Sequence, residues 1–221
     1  MILPPISKTY QGKTVLDFPG YELENETITA VIGANGSGKT TLARILAGIE
    51  KSDLRKPVLK NCPIGYMPQK SIAFRMSTER NILQNGADRE RAASLMDSLN
   101  LTELAKSPAH KLSGGETAKM ALARLLIRHY DLLILDEPSA SMDMESTLAA
   151  EQLIREYCSR EHSTVLVITH SLKQAKRLAG EVLFLHQGKL IESGPAKKLL
   201  TSPDSEETRK FLDFYGLELS I

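Results

Sequence analysis

The sequence predicts an α/β fold built on a mostly parallel sheet covered by helices, and three observations carry that prediction. Strand-like and helix-like segments alternate along the chain. Leu132–Leu135 and Val165–Thr169 are near-continuous apolar runs, as strands buried on both faces require. Thr27–Ile32 is apolar and β-branched and runs into a glycine-rich turn that opens a helix.

The elements follow in order. Thr40–Ala47 reads as a helix, with Gly48 placed to cap its C-terminus. Ser52–Gln69 carries Pro57, Pro63 and Pro68 and holds one short strand candidate, Ile64–Met67. From Thr78 to Leu104 apolar residues recur at helical spacing: Ile82 and Leu83, then Ala92, Leu95, Met96 and Leu99, with Pro108 closing the segment. Gly114 and Gly115 precede a strong helix, Glu116–Ile127, and Leu148–Cys158 reads as another. Val182–Leu185 and Lys189–Glu192 form a hairpin about Gln187-Gly188. The charged tail from Pro203 ends in Phe211, Phe214 and Tyr215, read as a packing helix.

The 221 residues fit one domain, 1–221, with 42% hydrophobic residues to build its core. A formal net charge of +1 gives no electrostatic ground for a nucleic-acid partner. The two cysteines, Cys62 and Cys158, belong to no CxxC pair, which argues against a disulfide framework or zinc site. Met1–Tyr10 lacks a signal-peptide pattern and contains Pro4 and Pro5. No run approaches the ~18 apolar residues of a membrane helix. The expectation is a soluble chain that meets a membrane only through a partner.

Gly33-Ala34-Asn35-Gly36-Ser37-Gly38-Lys39-Thr40 fits G-x-x-x-x-G-K-[ST], between a strand and a helix. Glycines let the backbone curl so that successive N–H groups face phosphate oxygens, and the helix N-terminus adds its positive end. Lys39 supplies charge for the β- and γ-phosphates, and Thr40 a hydroxyl for Mg²⁺. Asn35, Gly36, Ser37, Gly38 and Thr41 complete the loop's contacts. This is a P-loop for a nucleoside triphosphate. Asp136 and Glu137 end the strand Leu132–Leu135, where ligands sit in open α/β sheets. Asp136 suits Mg²⁺. Glu137, pointing to the other face of the strand, suits a general base for the attacking water.

Leu112-Ser113-Gly114-Gly115-Glu116 is the discriminating feature. On its residues alone it is a capping box before an apolar helix, or an anion site at that helix's N-terminus. With the P-loop upstream and the acidic pair downstream, the chain resembles an ABC-family ATPase over roughly Ser7 to Leu200. The family's signature is usually LSGGQ, so Glu116 is a departure that adds negative charge. The resemblance implies a fold: a P-loop core, an abbreviated antiparallel β subdomain, and an inserted helical signature subdomain at about 70–127. The abbreviation follows from Gln69 lying only 30 positions after Lys39.

The resemblance also implies roles. Tyr10 resembles the aromatic residue that stacks on adenine; read alone it is a core or surface tyrosine. Gln69 resembles the glutamine that reaches Mg²⁺ and the water. Ser139-Ala140-Ser141-Met142-Asp143 resembles the D-loop, and His170 the histidine that contacts the γ-phosphate. ATP and Mg²⁺ are the implied cofactors. Glu137, His170 and Gln69 are the implied catalytic residues, with Thr40, Gln69 and Asp136 for the metal. The implied partner is a second copy in a head-to-tail pair, with Ser113, Gly114, Gly115 and Asp143 facing the partner's nucleotide. Integral permease subunits, and a solute-binding protein in importers, complete the implied assembly at the cytoplasmic face of the membrane. Phe74 and Met76 are candidates for the permease contact or for internal core. Import of a small solute such as an amino acid or oxyanion is favoured, from the look of Leu199–Leu212. The alternative is a soluble ABC ATPase acting on nucleic acid or ribosomes.

Overall fold

A computed structural model describes residues 1–54, 59, 61–84 and 88–215. Pro57, part of the helical reading at 85–87, and the end of the chain lie outside the described residues. The strands are β1 (Ile2–Leu3), β2 (Ile6–Tyr10), β3 (Lys13–Phe18), β4 (Tyr21–Glu22), β5 (Ile28–Ile32), β6 (Ile64–Met67), β7 (Leu132–Asp136), β8 (Thr164–Ile168), β9 (Glu181–His186) and β10 (Lys189–Pro195). The helices are α1 (Lys39–Leu46), α2 (Thr78–Ile82), α3 (Arg89–Ser98), α4 (Gly114–Leu126), α5 (Met144–Arg160), α6 (Leu172–Leu178), α7 (Ala196–Leu199) and α8 (Glu206–Phe214).

Eight strands form one sheet in the order β2-β3-β10-β9-β5-β8-β7-β6, and β1 pairs with β4 in a separate ribbon. β9, β5, β8, β7 and β6 run parallel. Among the described residues, antiparallel strand pairing is found in β2–β3, β9–β10 and β1–β4, beside one isolated bridge between Ser77 and Pro108. The antiparallel part is therefore an extension of the parallel sheet plus one short ribbon.

The central strands are fully buried because both faces are covered. Alternate residues of β7 show how: Leu132 and Ile134 pack with Leu42, Ile45 and Leu46 of α1. Leu133 and Leu135 pack instead with Met120 and Leu122 of α4 and Ile154 of α5. A third cluster joins Ile32 and Phe184 to α6, α7 and α8. Such double coverage explains the continuous apolar runs. Each large aliphatic side chain so buried contributes roughly 1.5–3 kcal/mol.

The helical reading of Thr78–Leu104 resolves into α2 and α3, capped by Ser77 and Asp88, whose side chains accept from backbone N–H groups. A short 3-10 turn follows at Thr102–Leu104. α5 begins earlier than its apolar periodicity suggests, because Asp143 caps it by accepting from Ser146 N–H at 2.7 Å. In α8, Phe211 packs tilted against Phe184 with centroids 4.8 Å apart, whereas Phe214 is 81% exposed and meets only the edge of Tyr215, 5.1 Å between centroids. Both cysteines are free thiols. Among the described residues no helix is long and apolar enough to cross a membrane.

The turn from α4 into β7 is pinned by Tyr157 of α5. Its hydroxyl accepts from Tyr130 N–H at 3.0 Å and donates to the Arg128 carbonyl at 2.9 Å. Burial pushes its pKa up to about 12. Tyr157→Phe would leave both backbone groups unpaired in a buried setting, so urea unfolding should report a loss of about 1–3 kcal/mol. No change in the unfolding midpoint would show that the turn does not depend on this hydroxyl.

Candidate active site

β5 ends at Ile32 and the chain curls before α1 begins. Two glycines make the curl possible. Gly33 has φ +150°, and a Cβ there would lie 2.1 Å from the Leu185 carbonyl oxygen. Gly38 has φ +100°, and its Cβ would lie 2.9 Å from the Val15 carbonyl oxygen. The β9–β10 turn braces the loop from behind: Gly188 N–H donates to the Ser37 carbonyl at 3.1 Å. Gly38 is the N-cap of α1 and its backbone is left-handed. The loop therefore opens onto a helix N-terminus, where unpaired N–H groups and the dipole favour an anion.

Lys39 is held inside this loop. Its Nζ donates to the carbonyls of Gly33 at 2.7 Å and Ala34 at 2.9 Å. Burial lowers its pKa, with Glu137 and Asp136 opposing that shift. Ser37 Oγ is buried and has no hydrogen-bond partner.

Across the cleft, Asp136 ends β7 only 1% exposed. Neither of its carboxylate oxygens has a hydrogen-bond partner. Burial raises its pKa, with Thr40 (close by but short of a well-formed hydrogen bond), Lys39 and Arg44 opposing that shift. A carboxylate buried without a partner is unfavourable unless a cation compensates it. Asp136, the Thr40 hydroxyl and the Gln69 amide line one cleft of ≈ 440 Å³ with Tyr10, Lys39 and Glu137. This set of hard oxygen donors fits Mg²⁺, which keeps waters and shares phosphate oxygens instead of filling an all-protein cage.

Glu137 departs from the strand alternation expected for it. It has φ +53°, so its side chain is not simply on the opposite face from Asp136, and it lines the same cleft. Its Oε1 accepts from His170 backbone N–H at 3.0 Å and lies 2.7 Å from His170 Nδ1. The structure thus brings together Glu137 and His170, which are 33 positions apart in sequence.

Tyr10 stands at the rim of the cleft, 43% exposed. Its hydroxyl donates to Glu50, and this bond raises its pKa. Lys8 lies over its ring, 5.3 Å from the centroid. Glu50 fixes the tyrosine; no sequence signal links two residues 40 positions apart.

Ser113, Gly114, Gly115 and Asp143 do not line the cleft. Ser113 is exposed and caps α4 in a complete capping box, with Ser113 N–H donating to Glu116 Oε2 at 2.7 Å. That bond lowers the Glu116 pKa. Gly115 abuts the D-loop of its own chain: a Cβ there would lie 2.8 Å from the Ser141 carbonyl oxygen. The signature segment and D-loop form one exposed edge, separate from the phosphate loop.

The chain is similar to known proteins in sequence and in fold. The ABC transporter family model matches residues 19–140, more than half of the chain. The tungstate uptake system ATP-binding protein of Peptoclostridium acidaminophilum is 36% identical over 85% of this chain and 95% of its own length. The zinc import ATP-binding protein 1 of Hahella chejuensis is 34% identical over 98% of this chain and 83% of its own length. An ATP-binding subunit of an ABC transporter superposes with TM-score 0.82 at 19% identity, over 96% of this chain and 98% of the other. A dimeric ATP-binding cassette in a post-hydrolysis state with ADP and Pi superposes with TM-score 0.78 at 21% identity, over 89% of this chain and 99% of the other. The chain belongs to the ABC transporter family, as an ATP-binding subunit that hydrolyses ATP.

Proposed function

We propose that this chain energises import of a small inorganic solute, hydrolysing Mg²⁺-ATP between two head-to-tail copies of itself. The observation that carries this reading is the separation of the two halves of the site. The phosphate loop and acidic pair share one cleft, while the exposed Ser113–Gly115 helix end lies outside it. A helix N-terminus turned to solvent can reach a γ-phosphate only in another subunit. The chain is taken as one nucleotide-binding domain, 1–221, with its helical subdomain at about 70–127.

The residues divide the work as follows. The loop N–H groups and the α1 N-terminus bind the triphosphate. Lys39 exchanges the Gly33 and Ala34 carbonyls for β- and γ-phosphate oxygens. Asp136, Thr40 and Gln69 would hold Mg²⁺, which neutralises charge on the transferring phosphoryl group when bound. Glu137 orients the attacking water and accepts its proton, and His170 contacts the γ-phosphate. Tyr10, fixed by Glu50, stacks on the base. Each copy's Ser113–Gly115 and Asp143 close the other's site.

Beside the nucleotide cleft, Tyr66, Pro68, Ile72, Phe74, Arg124 and their neighbours line a groove of ≈ 630 Å³. Ile72 and Phe74 are 57% and 44% exposed, and Arg124 lies 5.0 Å from the Phe74 ring centroid. Met76 is 36% exposed. Exposed apolar side chains around a groove suit a protein partner. The proposed occupant is a short helix of the permease, which would anchor the chain at the cytoplasmic face of the membrane. Import is supported by relatives named for tungstate uptake and for phosphate and zinc import. No observation favours the alternative of a nucleic-acid or ribosome partner.

Two measurements test this reading. Glu137→Gln should bind ATP without hydrolysing it and double its light-scattering mass from 24.4 kDa only when Mg²⁺-ATP is present. Binding with a mass that stays monomeric at high concentration contradicts the paired site. The second concerns Asp136. Because burial raises its pKa, its charge destabilises the empty fold above the ordinary aspartate range. That penalty vanishes as pH falls through the same range. At neutral pH, Asp136→Asn should raise the melting temperature of the nucleotide-free chain by about 2–4 °C and abolish the extra stabilisation by Mg²⁺-ATP. A lower melting temperature with Mg²⁺-ATP stabilisation intact would overturn the assignment.

A further inference from the structure

A second polar assembly lies behind the site. Glu151 of α5 is 0% exposed. A carboxylate at that depth needs a partner. Arg177 of α6 supplies one in bidentate form, with Nε donating to Oε2 at 2.7 Å and Nη2 to Oε1 at 2.6 Å. Gln174, one turn earlier on α6 and 3% exposed, donates from Nε2 to Ser139 Oγ at 2.8 Å and reaches Glu151 Oε1 at 3.4 Å. Ser139 belongs to the loop that follows Glu137. α6 begins directly after Ser171, whose Oγ accepts from Gln174 N–H at 3.2 Å, and Ser171 follows His170.

The Glu137 loop and the His170 segment are thus tied together twice. In front, Glu137 Oε1 holds the backbone N–H and ring of His170. Behind, Gln174 holds Ser139. The front tie uses the carboxylate that must turn to water for hydrolysis, so it has to open. The back tie is part-buried and anchored by buried Glu151 paired with half-exposed Arg177, and nothing in the reaction requires it to break. A buried ion pair is weak support for stability, since apolar packing would often serve as well. Its value lies in fixing one geometry.

We propose that Gln174, anchored by Glu151 and Arg177, is a positioning residue for hydrolysis. It keeps residues 137–143 in register with the His170 segment while Glu137 exchanges His170 for water. This inference rests on the reading of Glu137 as the general base. None of Gln174, Ser139, Glu151 and Arg177 lines the nucleotide cleft, so the rate should respond and the affinity should not.

The test is single-turnover hydrolysis of γ-labelled ATP by excess full-length chain, alongside equilibrium ATP binding and thermal melting. Gln174→Leu removes the amide donor at similar volume, Ser139→Ala removes its acceptor, and the double variant removes both. Each single change should slow hydrolysis about tenfold, with ATP affinity kept within about twofold and the double variant no slower than the worse single. Unchanged rates, additive losses in the double variant, or a rate loss matched by equal losses of affinity and melting temperature would each overturn the proposal. Glu137→Gln is the control. If it hydrolyses ATP as fast as the parent, the general-base reading fails and the proposal with it. That result is distinct from a silent Gln174→Leu in a parent that depends on Glu137.

Discussion

A carboxylate delivered to the end of a buried strand, with neither oxygen satisfied, is the constraint on which the nucleotide cleft depends. β7 can carry Asp136 there only because its other residues are apolar on both faces, against α1 on one side and α4 and α5 on the other. The turn that feeds β7 is fixed by Tyr157. The phosphate loop lies opposite, with Lys39 drawn inward onto its own carbonyls. The lysine is compensated by two backbone carbonyls, while Thr40, Lys39 and Arg44 only partly offset the burial of the aspartate. On the proposed reading, Asp136 would hold Mg²⁺, and Lys39 and the loop would hold the triphosphate, so that each charge gains a partner.

Glu137 lies 2.7 Å from His170 Nδ1, and the signature helix end does not line the chain's own cleft. Its N-terminal N–H groups are partly engaged by the capping box, in which Glu116 returns to Ser113. The glutamate in place of the family's usual glutamine is thus held on its own backbone, with its negative charge stabilised locally.

Much of this was legible in the sequence, for identifiable reasons. The phosphate loop, the acidic pair and the buried strands announce themselves because glycine, lysine and apolar runs have few other uses in that order. Tyr10, Gln69 and His170 were readable only through family resemblance, since single residues at strand ends carry little local signal. The N-terminal strands β1–β4 and helices α6 and α7 were not read, being short and mixed in polarity. The left-handed turn at Glu137 was missed because strand alternation was carried one residue too far. Glu50, Glu151, Gln174 and Arg177 act through contacts distant in sequence. Only Gln174 left a trace, as a polar residue on the apolar face of α6 beside Leu172, Ala175 and Leu178.

If each active site is shared between two copies, two variants defective in opposite halves should complement one another. Lys39→Ala disables the phosphate loop, and Ser113→Arg obstructs the signature end. Each variant alone should hydrolyse almost no ATP, because every site in either homodimer contains one defect. Mixing the two should restore activity, since a mixed pair contains one site with both halves intact. Continued inactivity after mixing, or full activity of the Ser113→Arg chain alone, would contradict the shared site.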